Sequence, residues 1–114
     1  MKLKELVEKL DLEVKSASGN LETEVTGGYV SDLLSDVMAN CKKGDIWVTL
    51  QIHPNIAAVG TLKELAGIII NNSREPEEET LKKAEGEALP ILISKLPAFE
   101  LVGRMYELGI SGLR

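Results

Sequence analysis

The stretch Asp45-Ile-Trp-Val-Thr-Leu-Gln-Ile-His-Pro-Asn55 decides the fold, because a strand period and a helix start meet in it. Ile46, Val48, Leu50 and Ile52 alternate with Trp47, Thr49, Gln51 and His53, and a period of two sends successive side chains to opposite faces of a strand. Pro54 then suits the first turn of a helix, where its missing N–H is an orphan donor in any case. The unit recurs along the chain. A strand over 45–51 leads to a helix over about 54–65, a strand over 67–71 to a helix over about 76–85, and a strand over 90–94 to a last helix from near Pro97. Strands as uniformly apolar as Ile68-Ile-Ile70 are buried on both faces, as in parallel sheets with right-handed crossovers. The expected class is α/β, a three-layer α/β/α sandwich with a mostly parallel sheet.

Outward from this centre, Leu3, Leu6, Val7 and Leu10 fall at i, i+3, i+4 and i+7 and predict an amphipathic opening helix. Leu12 and Val14 alternate with charged neighbours as a half-buried strand would, and residues 16–20 read as a loop. Ser31 is placed to cap a short helix running to about Asn40, with Leu34, Val37 and Met38 turned inward. Glu78/Lys82 and Glu79/Lys83 form i, i+4 pairs in a helix whose acidic start suits the dipole. Leu101, Val102, Met105 and Leu108 share one face of the last helix, and Gly109-Ile110 fits a Schellman stop followed by a ragged tail. No linker or internal repeat is visible, so residues 1–114 are expected to form one domain.

The 114 residues carry 13 Lys and Arg against 18 Asp and Glu, a net charge of −5, with 44% hydrophobic side chains. A chain of this size builds a core without disulfides, and the one cysteine, Cys41, has no internal partner to bridge. No apolar run approaches the roughly 20 residues of a membrane helix, and no secretory leader is visible, so a cytoplasmic setting is expected. The acidic balance and the four aromatic positions Tyr29, Trp47, Phe99 and Tyr106 give neither a basic footprint nor a base-stacking platform for nucleic acid. Neither the Walker pattern nor G-x-G-x-x-G occurs. One histidine is a poor metal set, and Cys41 follows a helix rather than preceding one, where the dipole would activate it; no metal and no cofactor are expected.

Two regions draw attention as binding surfaces. Thr49, Gln51 and His53 line one strand face toward its carboxyl end, with Asn55 at the next helix start, where ligands of parallel sheets sit. The same residues also suit connection chemistry, Thr49 and Gln51 satisfying backbone and His53 capping the helix, and the sequence leaves both readings open. Thr26, Gly27, Gly28 and Ser31 offer backbone amides and hydroxyls for an anion cradle next to a helix start, although two glycines favour the alternative of a tight turn joining Val25 to that helix. Asp32 and Asp36 lie one turn apart and can either face a site together or serve a helix start.

From Glu24-Val-Thr-Gly-Gly28 through Tyr29-Val-Ser-Asp32 and Asp45-Ile-Trp-Val-Thr-Leu-Gln51, the sequence resembles the DRTGG domain family, most clearly over 26–72. Thr26, Gly27 and Gly28 match the naming motif, whereas Glu24 and Val25 stand where it has Asp and Arg. The resemblance implies a fold like the amino-terminal domain of HPr kinase/phosphorylase. It also implies a regulatory or assembly role rather than catalysis, since such modules accompany catalytic or CBS nucleotide-sensing domains. Joined to position, it yields a first functional reading: a non-enzymatic homodimeric module binding a small anionic metabolite or nucleotide between residues 26–32 and 49–55. A second reading is a dimerisation scaffold, or one that meets a regulatory protein partner, without ligand. A third is a small enzyme with His53 as general base oriented by Asp32 or Asp36.

Overall fold

The computed structural model describes residues 1–113. The chain runs α1 (Leu3–Lys9), β1 (Glu13–Val14), a 3-10 turn (Ser18–Asn20), β2 (Gly27–Val30), α2 (Leu34–Asn40), β3 (Asp45–Thr49), α3 (Asn55–Leu62), β4 (Gly67–Ile70), α4 (Glu78–Gly86), β5 (Ile91–Ile93) and α5 (Ala98–Glu107). One five-stranded sheet has the order β1-β5-β4-β3-β2. The pairs β2/β3, β3/β4 and β4/β5 are parallel, and β1 is antiparallel to β5. The strand–helix unit therefore begins one step earlier than its sequence pattern suggests, at β2 and α2.

Each parallel strand lies beside the one before it, so crossovers of one hand must put α2, α3 and α4 on the same face. The cores agree with this. Trp47, Ile68, Ile70 and Ile91 pack with Val37, Ile56, Ala57 and Ala84 from those helices. On the other face Ile46, Val48, Ile69 and Leu92 pack with Leu3 and Leu6 of α1 and Leu101 and Met105 of α5. The three-layer α/β sandwich with a mostly parallel sheet thus stands as expected from its periodicity. Trp47 is fully buried, and its Nε1 donates to the Ser31 carbonyl at 2.8 Å, which satisfies the one polar atom of a large apolar side chain.

Several local expectations change. Ser31 does not cap α2: the helix starts at Leu34 after Leu33, and the Ser31 hydroxyl instead accepts from Leu33 N at 3.2 Å in a tight turn. The ion pair on α4 joins Glu79 to Lys82 at 3.9 Å, an i, i+3 spacing, on a surface where such pairs contribute little. The end of α5 is the Schellman motif foreseen: Gly109 has φ +98°, Gly109 N donates to Tyr106 O at 3.0 Å, and Ile110 N to Met105 O at 3.1 Å. The tail beyond it is not ragged. Ile110 is buried, and Ser111 O accepts from Gly28 N at 3.1 Å, so the segment after α5 closes over the outer edge of β2.

Candidate functional site

At the carboxyl ends of the parallel strands, the chain after β2 is bolted to the chain after β3. Thr49, 1% exposed, donates its hydroxyl to Asp32 Oδ1 at 2.9 Å and accepts from Gln51 N at 3.1 Å. Leu50 N donates to the same carboxylate oxygen at 2.7 Å, and Gln51 Nε2 donates to the Asp32 carbonyl at 2.8 Å. From the turn after β4, Arg74 Nη1 donates to Leu50 O at 2.8 Å. Asn71 ties the edge further in, donating to Thr49 O at 2.9 Å and accepting from Ala98 N, the start of α5, at 3.3 Å. These bonds hold a polar cleft of about 410 Å³ lined by Asp32, Leu50, Gln51, Ile52, His53, Arg74 and Glu77.

The helix start beside this cleft offers no free amide. Asn55 N donates to His53 Nδ1 at 3.1 Å, and Ile56 N donates to His53 O at 3.0 Å. His53 therefore caps α3 through Nδ1, which places the neutral ring's proton on Nε2, an outward donor. The start of α4 is tied to the same loop, since Glu77 N and Thr80 Oγ1 both donate to Ile52 O, at 3.2 and 2.6 Å.

The residues singled out from the sequence fall into two groups that the sheet keeps apart. Asp32, Thr49, Gln51, His53 and Asn55 gather at the carboxyl edge, with Ser31 just beneath at the turn. Thr26, Gly27 and Gly28 sit at the opposite end of the sheet, because Gly27 opens β2 beside Asp45, the first residue of β3. The anion cradle they were expected to form with Ser31 is not assembled. Thr26 N donates to Gly44 O at 3.0 Å, Gly28 N to Ser111 O and Ser31 N to Val48 O at 3.2 Å, so these amides are spent within the protein. The Thr26 hydroxyl donates to Lys43 O at 3.2 Å. A Cβ at position 28 would sit 3.2 Å from Ile110 Cγ2 on the returning tail, a tight contact that the isoleucine would have to ease.

Asp32 and Asp36 do not share a site either. Asp36 accepts from the Tyr29 hydroxyl at 2.8 Å and from Asn40 Nδ2 at 2.9 Å, and these donors hold its carboxyl below the usual range, while the Asp36 carboxylate in turn pushes the Tyr29 phenol up. Neither carboxylate orients the His53 ring, whose Nδ1 already has Asn55 N as its partner. Cys41 is buried where α2 ends, away from the cleft. Among the described residues no cluster of three or more His, Cys, Asp or Glu is placed to hold a metal, and no helix is long and apolar enough to cross a membrane. Arg74 and Glu77 were missed in the sequence. The signal was the turn after β4, which ends at the same sheet edge and whose first long cation is Arg74.

No family model matches the sequence, and no curated protein matches it. Among solved structures, the chain is similar to the CBS and DRTGG domains of the regulatory region of a Clostridium perfringens pyrophosphatase, a structure complexed with the activator diadenosine tetraphosphate. The two share 13% identity at a TM-score of 0.72 over 90% of this chain. The match spans 44% of that regulatory chain, less than half its length. The backbone agreement and the sheet together give this chain a DRTGG-like fold.

Proposed function

We propose that this chain is a regulatory module, without catalysis of its own, that binds a small nucleotide-like anion in the cleft at the carboxyl ends of β2, β3 and β4. The observation that carries this reading is the mixed donor set of the cleft. Arg74 keeps guanidinium donors beyond the one spent on Leu50 O, and His53 presents Nε2, so both can meet phosphate oxygens. Asp32 and Glu77 line the same cleft and would repel a bare polyanion, yet they suit the hydroxyls of a ribose. A nucleotide supplies both chemistries. The Clostridium perfringens regulatory region, part of whose fold this chain shares, takes a dinucleoside polyphosphate as its activator, which supports the same ligand class. Thr26, Gly27 and Gly28 enter this reading as the entry into β2, away from the cleft. The module is taken to work as a homodimer.

A thermal-shift series tests the reading with diadenosine tetraphosphate, mononucleotides and inorganic phosphate as probes. Ligand at a hundred times its dissociation constant adds about 2.7 kcal/mol to the folded state. For 114 residues that corresponds to a rise of about 10 °C. The shift is expected with nucleotides, absent with phosphate alone, and lost in Arg74→Ala but kept in Thr26→Ser. No nucleotide-dependent shift, or one untouched by Arg74→Ala, overturns the site.

A further inference from the structure

Helix α5 carries two apolar stripes, and the fold of one chain uses only one of them. Leu101 and Met105 are buried against the sheet. Phe99, Val102, Gly103 and Tyr106 follow at i, i+3, i+4 and i+7 on an adjoining face, where Phe99 is 90% and Tyr106 69% exposed and Val102, half-buried against the core, borders both stripes. With Val30 of β2, itself 49% exposed, they line a groove along the helix. Gly103 is the informative residue. A mid-helix glycine weakens a helix relative to alanine, and a Cβ at this position would meet nothing within 4 Å, so packing inside the chain does not require it. A close-approaching backbone or side chain from outside would.

We propose that this face is where two copies of the chain meet, with their α5 helices packed antiparallel about a two-fold axis between Val102 and Gly103. The order aromatic, valine, glycine, aromatic is self-complementary under that operation. Phe99 of one copy faces Tyr106 of the other, and each Val102 enters the hole at the opposing Gly103, as an isologous contact demands. Aromatic side chains bury about 150–250 Å² each, so four of them provide on the order of 600 Å² or more. Val30, Val102 and the exposed Leu113 carry the total toward the roughly 1,000 Å² of a specific interface. Pairing through the sheet edge is disfavoured at β2, because Ser111 already occupies Gly28 N.

The inference rests on the dimeric part of the proposed function and is read without ligand, so its failure leaves the cleft untouched. Sedimentation velocity over a concentration series is expected to give twice the chain mass for the unmodified protein. Gly103→Leu fills the hole, in open space for a single chain, and is expected to weaken association by about tenfold or more without lowering the thermal midpoint of the monomer. Phe99→Lys and Tyr106→Glu should each do the same, and the double variant should regain the dimer because the introduced ammonium of one copy then faces the introduced carboxylate of the other. A monomeric unmodified protein overturns the proposal and assigns the face to a different chain. A dimer indifferent to Gly103→Leu and Phe99→Lys overturns it as well, and a double variant that stays monomeric overturns the antiparallel register.

Discussion

Replacing Asp32 by alanine removes one oxygen that two donors share, the Thr49 hydroxyl at 2.9 Å and Leu50 N at 2.7 Å. The two losses differ in size. Thr49 is 1% exposed, so its hydroxyl loses a charged partner with little water to replace it, a cost of about 1.5–2 kcal/mol. Leu50 N lies nearer solvent and can be rehydrated, which limits its share to about 0.5–1 kcal/mol. The sum is about 2–3 kcal/mol. Unfolding entropy for 114 residues is roughly 0.24 kcal/mol/K, so the midpoint should fall by about 10 °C. Urea unfolding of Asp32→Ala, Thr49→Val and the double variant isolates the pair, with a coupling of about 1–2 kcal/mol expected. A coupling below about 0.5 kcal/mol would mean that the carboxylate does not bind the buried hydroxyl, and the claim that this bond fixes the cleft would fail.

Three further perturbations probe the frame around the site. Gly60→Ala would bring a Cβ to 2.7 Å from Leu89 Cδ2 and 3.1 Å from Ile68 Cδ1, and the crowding should outweigh the helix gain, leaving a net loss of about 1 kcal/mol in urea. Ser16→Ala should cost about 2–3 kcal/mol by the same assay, since the buried hydroxyl donates to Leu89 O at 2.8 Å and accepts from Ile91 N at 2.9 Å; a loss under about 0.5 kcal/mol would refute that double role. Glu22 is held at about 2, down from 4.5, by hydrogen bonds from Lys2 and Lys4. Its contribution is fully present above pH 4.5 and is lost as pH falls through about 2, so its carboxyl resonance should titrate near 2 and return toward the ordinary value in Lys2→Met/Lys4→Met.

The parallel core was legible because Ile46 to Val48 and Ile68 to Ile70 are buried on both faces, and a strand so placed carries its signature in its own residues. The helix stop at Gly109 was legible for the same local reason. The role of Gly28 was not, because its neighbour Ile110 and its acceptor Ser111 lie more than 80 positions away and nothing in Thr26-Gly-Gly28 encodes them. Adjacency misled in a second way. Residues 26 and 32 are close in sequence, yet β2 runs between them and carries them to opposite ends of the sheet. Alternation placed Thr49, Gln51 and His53 on one strand face, but β3 ends at Thr49 and Gln51 and His53 lie in the connection to α3, held there by bonds such as Thr49 Oγ1 to Asp32 and Arg74 to Leu50 O that depend on which strands are neighbours. On α5 the inward stripe is written in its own spacing, whereas the open space beside Gly103 is set by the fold around it.

The central claim is that ligand is received at the carboxyl edge, and amide chemical-shift mapping during a titration with diadenosine tetraphosphate tests it most directly. Saturable shifts are expected at Asp32, Gln51, His53, Asn55 and Arg74, with Thr26, Gly27 and Gly28 unmoved at the far end of the sheet. Shifts centred on Thr26 to Gly28, or none at all at millimolar ligand, would contradict it.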